Sequence, residues 1–353
     1  MKELPKTSMK RRTQNIRVLE LYSGIGGMHY ALKSTNIPFE VVCAIDINPL
    51  ANTVYNHNLG NRAKHIDITK VNASELDGYH CDLWTMSPSC QPYTRIGKQQ
   101  DVQDPRSHAF LHLLEELPKV ESPPKYILIE NVQGFENSIT AQKCREVLKG
   151  MNYNFIEGNL TPKQSNIPNS RCRWYGLARK GSLVNWNFEE IIATSFKNSY
   201  KGEGINTLES FLETQASFES YFLPEKLMFR YGHQLDIVKP TSTNCCCFTR
   251  GYGQLVQGSG SVLQTSDHES IADQFEKDRM SLRLRYFTAR EIARIMGFPD
   301  SFQWKEIEIS EKTMYRLLGN SINVNVVSRL LSHLLYPSTG GQEEESIIKP
   351  SFY

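Results

Sequence analysis

One short segment of this sequence combines a reactive side chain with a stiff backbone: Ser87-Pro88-Ser89-Cys90-Gln91-Pro92. It directly follows the apolar run Leu83–Met86, which predicts a cysteine on a loop at the end of a strand. A thiolate in that position can act as a nucleophile. Taken alone, the segment leaves a second interpretation open, because an isolated cysteine usually serves as a small buried hydrophobe.

A carboxylate and two cations occupy similar positions further along. Glu130 lies near the end of the apolar stretch that continues into Asn131 and Val132, and a glutamate buried there needs a partner or a function. Arg171 and Arg173 alternate on an extended segment, so both project to one face and suit a phosphate or carboxylate. The alternatives are a structural ion pair for Glu130 and a solvated surface pair for the arginines.

A glycine-rich segment, Glu20-Leu21-Tyr22-Ser23-Gly24-Ile25-Gly26-Gly27, follows the first predicted strand and opens a helix. Glycines allow a ligand to approach the backbone, and a helix start offers free N–H groups. Asp46 ends the next apolar run, where an acid can bind ribose hydroxyls. Because His29 replaces the third glycine of a dinucleotide motif, the pattern favours an adenosine-type cofactor without a pyrophosphate. A glycine turn serving only packing is the alternative.

The elements that position these residues are predicted strands that alternate with predicted helices. Apolar runs at residues 16–21, 41–47, 83–86, 126–129, 155–160 and 174–178 predict strands, and residues 51–57, 110–117 and 142–149 predict helices. The alternation is typical of an α/β fold, a doubly wound and mostly parallel sheet with helices on both faces. Ligands of such sheets bind beyond the carboxyl ends of the strands, where the residues above fall.

The pattern also suggests a domain division. We predict a disordered basic N-terminus over residues 1–15, a catalytic and cofactor-binding domain over 16–190 and a smaller irregular domain over 191–284. Residues 285–336 are expected to return to the catalytic domain, with Thr288 capping a helix and Glu291 in capping-box spacing. Residues 337–353 are expected to be disordered.

The sequence gives no sign of a membrane-spanning, secreted or metal-binding protein. Of the 353 residues, 39% are hydrophobic and 22% charged, and no stretch approaches the ~18 apolar residues of a membrane span. The basic start lacks an apolar leader segment, which predicts reduced cysteines and a location in the cytoplasm and nucleus. The eight cysteines form no C-x-x-C pair, so no metal site is expected.

Taken together, and in the order in which they follow along the chain, the glycine-rich segment, the Cys90 segment, Glu130-Asn131-Val132 and the arginine pair resemble the motifs of the cytosine-5 methyltransferase superfamily. Residues 285–291 and Gly319-Asn320-Ser321-Ile322-Asn323-Val324 are similar to two further motifs of that family. The resemblance extends from Val18 to about Leu335. It implies a class I S-adenosylmethionine-dependent methyltransferase of Rossmann-like fold, in which residues 191–284 form the target-recognition domain.

The resemblance also implies roles for individual residues. Cys90 would be the nucleophile, with Glu130, Arg171 and Arg173 completing the catalytic site. S-adenosylmethionine, the precursor of the product S-adenosylhomocysteine, would be bound by Ser23, Gly24, Ile25, Gly26, Asp46, Ile47, Asp67, Ile68, Ser87, Asn320 and Ser321.

Within the superfamily, the chain most resembles the small eukaryotic branch that acts on aspartate tRNA. We expect no large regulatory N-terminal region. Residues 19–29 are similar to that branch beyond the glycines, and Cys247-Phe248-Thr249 matches its tripeptide. This implies that these three residues take part in substrate recognition and that the target is an anticodon-loop cytosine. We also expect a monomer that can bind DNA weakly. The alternatives are a DNA cytosine-5 methyltransferase, a nucleic-acid-binding homologue with little or no turnover, and a nicotinamide-dependent oxidoreductase.

One residue departs from the family pattern. The nucleophile motif normally reads Pro-Pro-Cys-Gln, and this chain has Ser89 at the second proline. Without that proline the loop has more conformations available. Because Cys90 is intact, we expect activity to survive in a weakened or condition-dependent form.

Overall fold

The computed structural model describes residues 15–93, 101–181, 186–196, 205–214, 218–255, 257–267 and 279–336. Residues 1–14 of the predicted N-terminal segment and the whole predicted tail, 337–353, lie outside these ranges.

A seven-stranded sheet forms the centre of the described chain. Its strands are β1 (Ile16–Leu21), β2 (Phe39–Asp46), β3 (Ala63–His65), β4 (Leu83–Met86), β5 (Tyr126–Val132), β6 (Tyr153–Leu160) and β7 (Arg173–Lys180). They lie in the order β3-β2-β1-β4-β5-β7-β6, and β7 runs antiparallel to both of its neighbours. The other pairs are parallel, which confirms the predicted mostly parallel sheet.

Helices α1 (Gly27–Lys33), α2 (Pro49–Leu59), α3 (Ala73–Asp77), α4 (His108–Glu116), α5 (Ile139–Gly150) and α6 (Phe188–Ser195) connect or follow these strands. Successive strand residues point to opposite faces of the sheet. Val18 therefore belongs to one buried cluster and Leu19 to another, as do Leu83 and Trp84. Two hydrophobic cores, one on each face, account for the doubly wound α/β architecture.

A smaller sheet lies further along the chain. Helix α7 (Glu225–Tyr231) precedes β8 (Ile237–Val238), β9 (Val262–Gln264) and β10 (Leu284–Arg285), which pair in the order β10-β9-β8. This unit has its own small hydrophobic cluster, formed by Leu223, Met228, Val262, Leu282 and Leu284. Strand β10 crosses the predicted limit between residues 284 and 285, and the domain limits themselves stay predictions.

The chain then returns to the large sheet through α8 (Ala289–Ile295), α9 (Glu311–Gly319) and α10 (Val324–Leu335). Thr288 caps α8 with the predicted capping box, since its hydroxyl accepts a hydrogen bond from the Glu291 amide at 3.1 Å. Helix α10 packs against α1, beside the glycine loop. In the described part of the chain, no helix has the length and apolar character needed to cross a bilayer.

Candidate active site

The carboxyl ends of four parallel strands bring the predicted residues to one edge of the sheet. The glycine loop (Ser23–Gly26) follows β1, Asp46 ends β2, Cys90 follows β4 and Glu130 lies near the end of β5. The chain winds outward in opposite directions from the neighbouring strands β1 and β4. A crevice opens at such a reversal, so the loops after β1 and β4 are placed to share one ligand.

The glycine loop has a backbone that favours glycine. Gly24 and Gly26 have φ angles of 53° and 89°, in the left-handed region that L side chains rarely adopt. A Cβ on Gly26 would clash with Leu59 and would lie 3.1 Å from a ring carbon of Tyr55, so this glycine fits closely against α2. A Cβ on Gly24 would meet no atom within 4 Å, which leaves space there for a ligand.

Asp46 is tied to this loop by hydrogen bonds. One carboxylate oxygen accepts from the Gly24 amide at 2.9 Å, and the other accepts from the Asn48 amide at 2.7 Å. Burial raises the pKa of Asp46 although both amide bonds oppose that shift. The next side chain, Ile47, is 62% exposed, so an acid and an apolar surface lie side by side at this edge.

Asp67 and Ile68 differ in their suitability as ligand contacts. The Asp67 carboxylate accepts hydrogen bonds from the amide and hydroxyl of Thr69, which lower its pKa. The negative charges of Asp67 and Asp46 both contribute to the raised pKa of the Tyr22 phenol. Ile68 is 4% exposed and packs in the core, so its side chain lines no open surface.

Hydrogen bonds connect Ser87 and Pro88, just before Cys90, to the chain segments on either side of β4. The Ser87 hydroxyl donates to the Tyr22 carbonyl oxygen at 3.1 Å, which connects this segment to the glycine loop. The Asn131 side-chain amide donates to the Pro88 carbonyl oxygen at 3.2 Å, which connects it to β5. The sequence indicated Asn131 only as a motif neighbour of Glu130, and its positioning role comes from the structure.

Glu130 and Arg173 form an ion pair across neighbouring strands. Val132 lies opposite Arg173 in the antiparallel register, so Glu130 is the diagonal neighbour of Arg173. The Arg173 Nε atom lies 3.5 Å from the Glu130 Oε1 atom, and both side chains are largely buried. Burial raises the pKa of Glu130, and the positive charges of Arg173 and Arg171 reduce that shift.

The same charges act on the candidate nucleophile. Burial raises the pKa of the Cys90 thiol, and the negative charge of Glu130 raises it further. Arg173 and Arg171 act in the opposite direction and favour the thiolate. The structure thus brings together Cys90, Glu130 and the arginine pair as electrostatic neighbours.

Arg171 has a different environment from Arg173. It is 3% exposed, and its Nη1 atom donates to the Phe248 carbonyl oxygen at 3.2 Å and the Cys247 sulfur at 3.3 Å. Its Nη2 atom donates to the carbonyl oxygens of Gly319, at 3.2 Å, and Ser321. These bonds join three distant segments, so Arg171 is a positioning residue of the site.

The middle residue of the tripeptide Cys247-Phe248-Thr249 is buried, whereas the residues on either side of it are partly exposed. Burial would raise the pKa of Cys247, but Arg171 and Arg173 outweigh burial and lower it. Phe248 is 2% exposed and makes edge-to-face contacts with Tyr252 and Phe287, so its ring belongs to the core. The Thr249 amide donates to the Ser259 carbonyl oxygen at 2.9 Å.

Close packing at two glycines places the segment that carries Asn320 and Ser321 beside the glycine loop. Neither glycine was predicted as a site residue. A Cβ on Gly319 would clash with the main chain of Thr249 and Arg250. A Cβ on Gly27, the first residue of α1, would lie 2.7 Å from Ile322 and 3.1 Å from the Ser321 hydroxyl. Close backbone approach therefore places the C-terminal motif beside the glycine loop. Across the described ranges, no group of three His, Cys, Asp or Glu side chains could hold a metal ion.

Comparisons with known proteins agree with this geometry. The family described as C-5 cytosine-specific DNA methylase matches residues 16–335. A Schizosaccharomyces pombe protein named tRNA (cytosine(38)-C(5))-methyltransferase is 58% identical over 325 residues, 92% of this chain and 98% of the relative. A Dictyostelium discoideum protein named DNA (cytosine-5)-methyltransferase is 34% identical over 363 residues, 92% of this chain and 96% of that protein.

Among solved structures, the S. pombe Dnmt2 methyltransferase superposes with a TM-score of 0.85 at 56% identity, covering 92% of this chain and all of that one. The matched range contains every candidate site residue described above. The chain therefore belongs to the C-5 cytosine-specific methyltransferase family.

Proposed function

We propose that this protein transfers a methyl group from S-adenosylmethionine to carbon 5 of an anticodon-loop cytosine in tRNA, with aspartate tRNA as the substrate. The observation that carries the proposal is the placement of Cys90 beside the Glu130–Arg173 ion pair, at the sheet edge that also holds the glycine loop. The position within tRNA is supported by the relative's name, which specifies cytosine 38.

The residues at the sheet edge fit the proposed cofactor. The space over Gly24 accommodates a ligand close to the backbone, and the Asp46 carboxylate suits ribose hydroxyls. The exposed Ile47 side chain offers an apolar contact for adenine, and Ser321 lies next to Gly27 at the start of α1. When bound, S-adenosylmethionine supplies an electrophilic methyl group on its sulfonium sulfur.

Carbon 5 of cytosine is a poor nucleophile until carbon 6 is attacked. The Cys90 thiolate forms a bond to carbon 6, and the electrons of the 5,6 double bond then make carbon 5 nucleophilic. Burial raises the pKa of Glu130, so this carboxyl group, paired with Arg173 in the free enzyme, can take up a proton when the base binds and donate it to the ring nitrogen where negative charge develops. After carbon 5 is methylated, a base removes its proton, the 5,6 double bond reforms and Cys90 leaves as a thiolate.

The two arginines have different roles in this reaction. The positive charge of Arg173 favours the Cys90 thiolate, and we assign to the same guanidinium the contact with the pyrimidine carbonyl or a neighbouring phosphate. Arg171 holds the segments that carry Cys247, Gly319 and Ser321 in place. The proposal thus assigns substrate contact to Arg173 and positioning to Arg171.

An RNA loop is the physically favoured substrate. The target base must leave its stack to reach Cys90, and this costs least where the base is already unpaired. Duplex DNA is the second candidate, supported by the name of the Dictyostelium relative. It requires the additional cost of flipping a paired base.

The test is incubation with methyl-labelled S-adenosylmethionine and either total tRNA or duplex DNA. We expect label in tRNA with the wild type and none with Cys90→Ala. Cys246→Ala, which removes another partly exposed thiol, is the matched control and should stay active. Label in DNA alone would favour duplex DNA as the substrate. No label in either nucleic acid would indicate a homologue that binds nucleic acid without methylating it.

A further inference from the structure

Three ionisable side chains lie behind the glycine loop and have no part in the chemistry proposed above. Glu20 comes from β1, just before the loop, and is fully buried. His29 comes from α1, just after the loop, and Tyr55 comes from α2. Tyr55 is fully buried and His29 is largely buried, so the three form a polar cluster inside the hydrophobic core.

The cluster is connected through His29. Its Nδ1 atom lies 2.8 Å from the Tyr55 hydroxyl and 3.8 Å from the Glu20 Oε1 atom. Within the described chain, neither carboxyl oxygen of Glu20 completes a hydrogen bond of ordinary geometry. An ionised carboxylate without such bonds is costly inside a protein, so this site suits the neutral acid.

The charge states agree with that geometry. Burial raises the pKa of Glu20 to about 8, and the Tyr55 hydroxyl reduces the shift only partly. Burial lowers the pKa of His29 to about 4, assisted by the positive charges of Lys33 and Arg62. Cys43 of β2, a further ionisable neighbour, has a thiol pKa raised by its own burial. At neutral pH the cluster is therefore uncharged.

Tyr55 connects this cluster to the glycine loop, and the helix that carries Tyr55, α2, also contacts Asp46. Its ring packs on Gly26, where a Cβ would lie 3.1 Å away. On the same helix, the Asn52 side-chain amide donates to the Asp46 carbonyl oxygen at 3.0 Å. A displacement of α2 would consequently move the glycine loop and Asp46 relative to each other.

We propose that Glu20 is a positioning residue for the cofactor: through His29 and Tyr55 it fixes α1 and α2 around the glycine loop and Asp46. It performs this role as a neutral acid, because ionisation would place an uncompensated charge among the three elements. The inference rests on the proposed use of S-adenosylmethionine.

The test is the dissociation constant of S-adenosylhomocysteine, measured by calorimetry on the full chain at pH 7 and pH 9. At pH 7, Glu20→Gln should bind within about twofold of the wild type, and Glu20→Ala should bind at least about tenfold more weakly. Leu148→Ala is the control for lost packing, because Leu148 is a buried core residue of α5 on the other face of the sheet. Its affinity should be unchanged.

The pH dependence separates positioning from a merely structural role. Since the folded pKa of Glu20 is about 8, wild-type affinity should fall about tenfold from pH 7 to pH 9. Glu20→Gln, which cannot ionise, should keep its affinity. This comparison stands even if Glu20→Ala fails to fold.

Three results would overturn the proposal. They are a wild-type affinity that does not change with pH, the same decline in Glu20→Gln, or an equal loss in Leu148→Ala. If the wild type binds tightly and the Glu20 variants behave like it, only the positioning role fails. If the wild type itself does not bind S-adenosylhomocysteine, the proposed function fails with it.

Discussion

The Nε atom of Arg173 lies 3.5 Å from the Oε1 atom of Glu130, and the two charges act in opposite directions on Cys90. Glu130 raises the pKa of the nucleophile, whereas Arg173 lowers it. In the free enzyme the nucleophile therefore lies between two opposing charges, and each partner of the ion pair offsets the effect of the other on the Cys90 thiol.

This balance predicts opposite effects of two neutral substitutions. Glu130→Gln should lower the pKa of Cys90, and Arg173→Gln should raise it, because each removes one of the opposing charges. The pH dependence of iodoacetamide alkylation, followed by mass spectrometry of the Cys90 peptide, measures both shifts. Glu157→Gln is the control, since it breaks the ion pair with Arg145 elsewhere on the sheet. Shifts of the same sign in the first two variants would disprove the balance.

Asp46 is predicted to contribute directly to cofactor affinity. Asp46→Ala removes a carboxylate that is tied to Gly24 and suited to ribose hydroxyls. We expect S-adenosylhomocysteine binding to weaken by about 1–3 kcal/mol, the cost of losing charged hydrogen bonds. Calorimetry measures this, with Asp300→Ala, which removes a largely exposed carboxylate, as the control. Unchanged affinity in Asp46→Ala would place the ribose contact elsewhere.

Gly319 is predicted to be intolerant of even one added carbon. The Cβ of alanine would lie 2.6 Å from the Thr249 carbonyl oxygen and would clash with neighbouring main-chain atoms, which cannot move as a flexible side chain can. Gly319→Ala should cost about 1–3 kcal/mol of stability and lower activity.

Gly150 offers a matched control, since it also ends a helix but its added Cβ would meet no atom within 4 Å. Thermal unfolding should therefore show a lower Tm for Gly319→Ala and an unchanged or slightly higher Tm for Gly150→Ala. Equal midpoints for both variants would mean that the Thr249–Gly319 approach is not tight.

Ser89→Pro is predicted to accelerate methylation. Proline restricts the nucleophile loop, and such restriction is commonly worth about 0.4–1 kcal/mol, or roughly a two- to fivefold gain in rate. Hydrogen bonds from Ser87 and Asn131 already fix the neighbouring backbone. Single-turnover rates on the same unmodified tRNA would decide. Equal or slower chemistry in the variant would show that these bonds suffice and that Ser89 does not limit the enzyme.

The central sheet was predictable because its strands have a strong local signal. All six apolar runs correspond to strands, and burial of β4 and β5 on both faces explains why those two runs are continuously apolar. Strand β3 was missed because Ala63-Lys64-His65 is a short edge strand with no apolar run. This segment is a strand because its backbone pairs with β2, which its composition does not indicate.

The candidate site was predictable in its motifs but not in its long-range contacts. Arg171 and Arg173 are equivalent in sequence, yet Arg171 bonds to carbonyl groups of residues 248, 319 and 321. Periodicity carries no information about such distant partners. His29 was informative only as a departure from a dinucleotide motif, and its contacts with Glu20 and Tyr55 depend on how β1, α1 and α2 pack.

The covalent bond from Cys90 to the target cytosine is the central claim, and it can be trapped. A tRNA with 5-fluorocytidine at the target position carries no proton on carbon 5, so the step that releases Cys90 cannot occur. With S-adenosylmethionine present, we predict a protein–RNA adduct that survives denaturing electrophoresis, with the nucleotide mass on the Cys90 peptide. Cys90→Ala should bind S-adenosylhomocysteine normally and form no adduct. An adduct in Cys90→Ala, or none in a wild type that methylates the normal tRNA, would contradict the account.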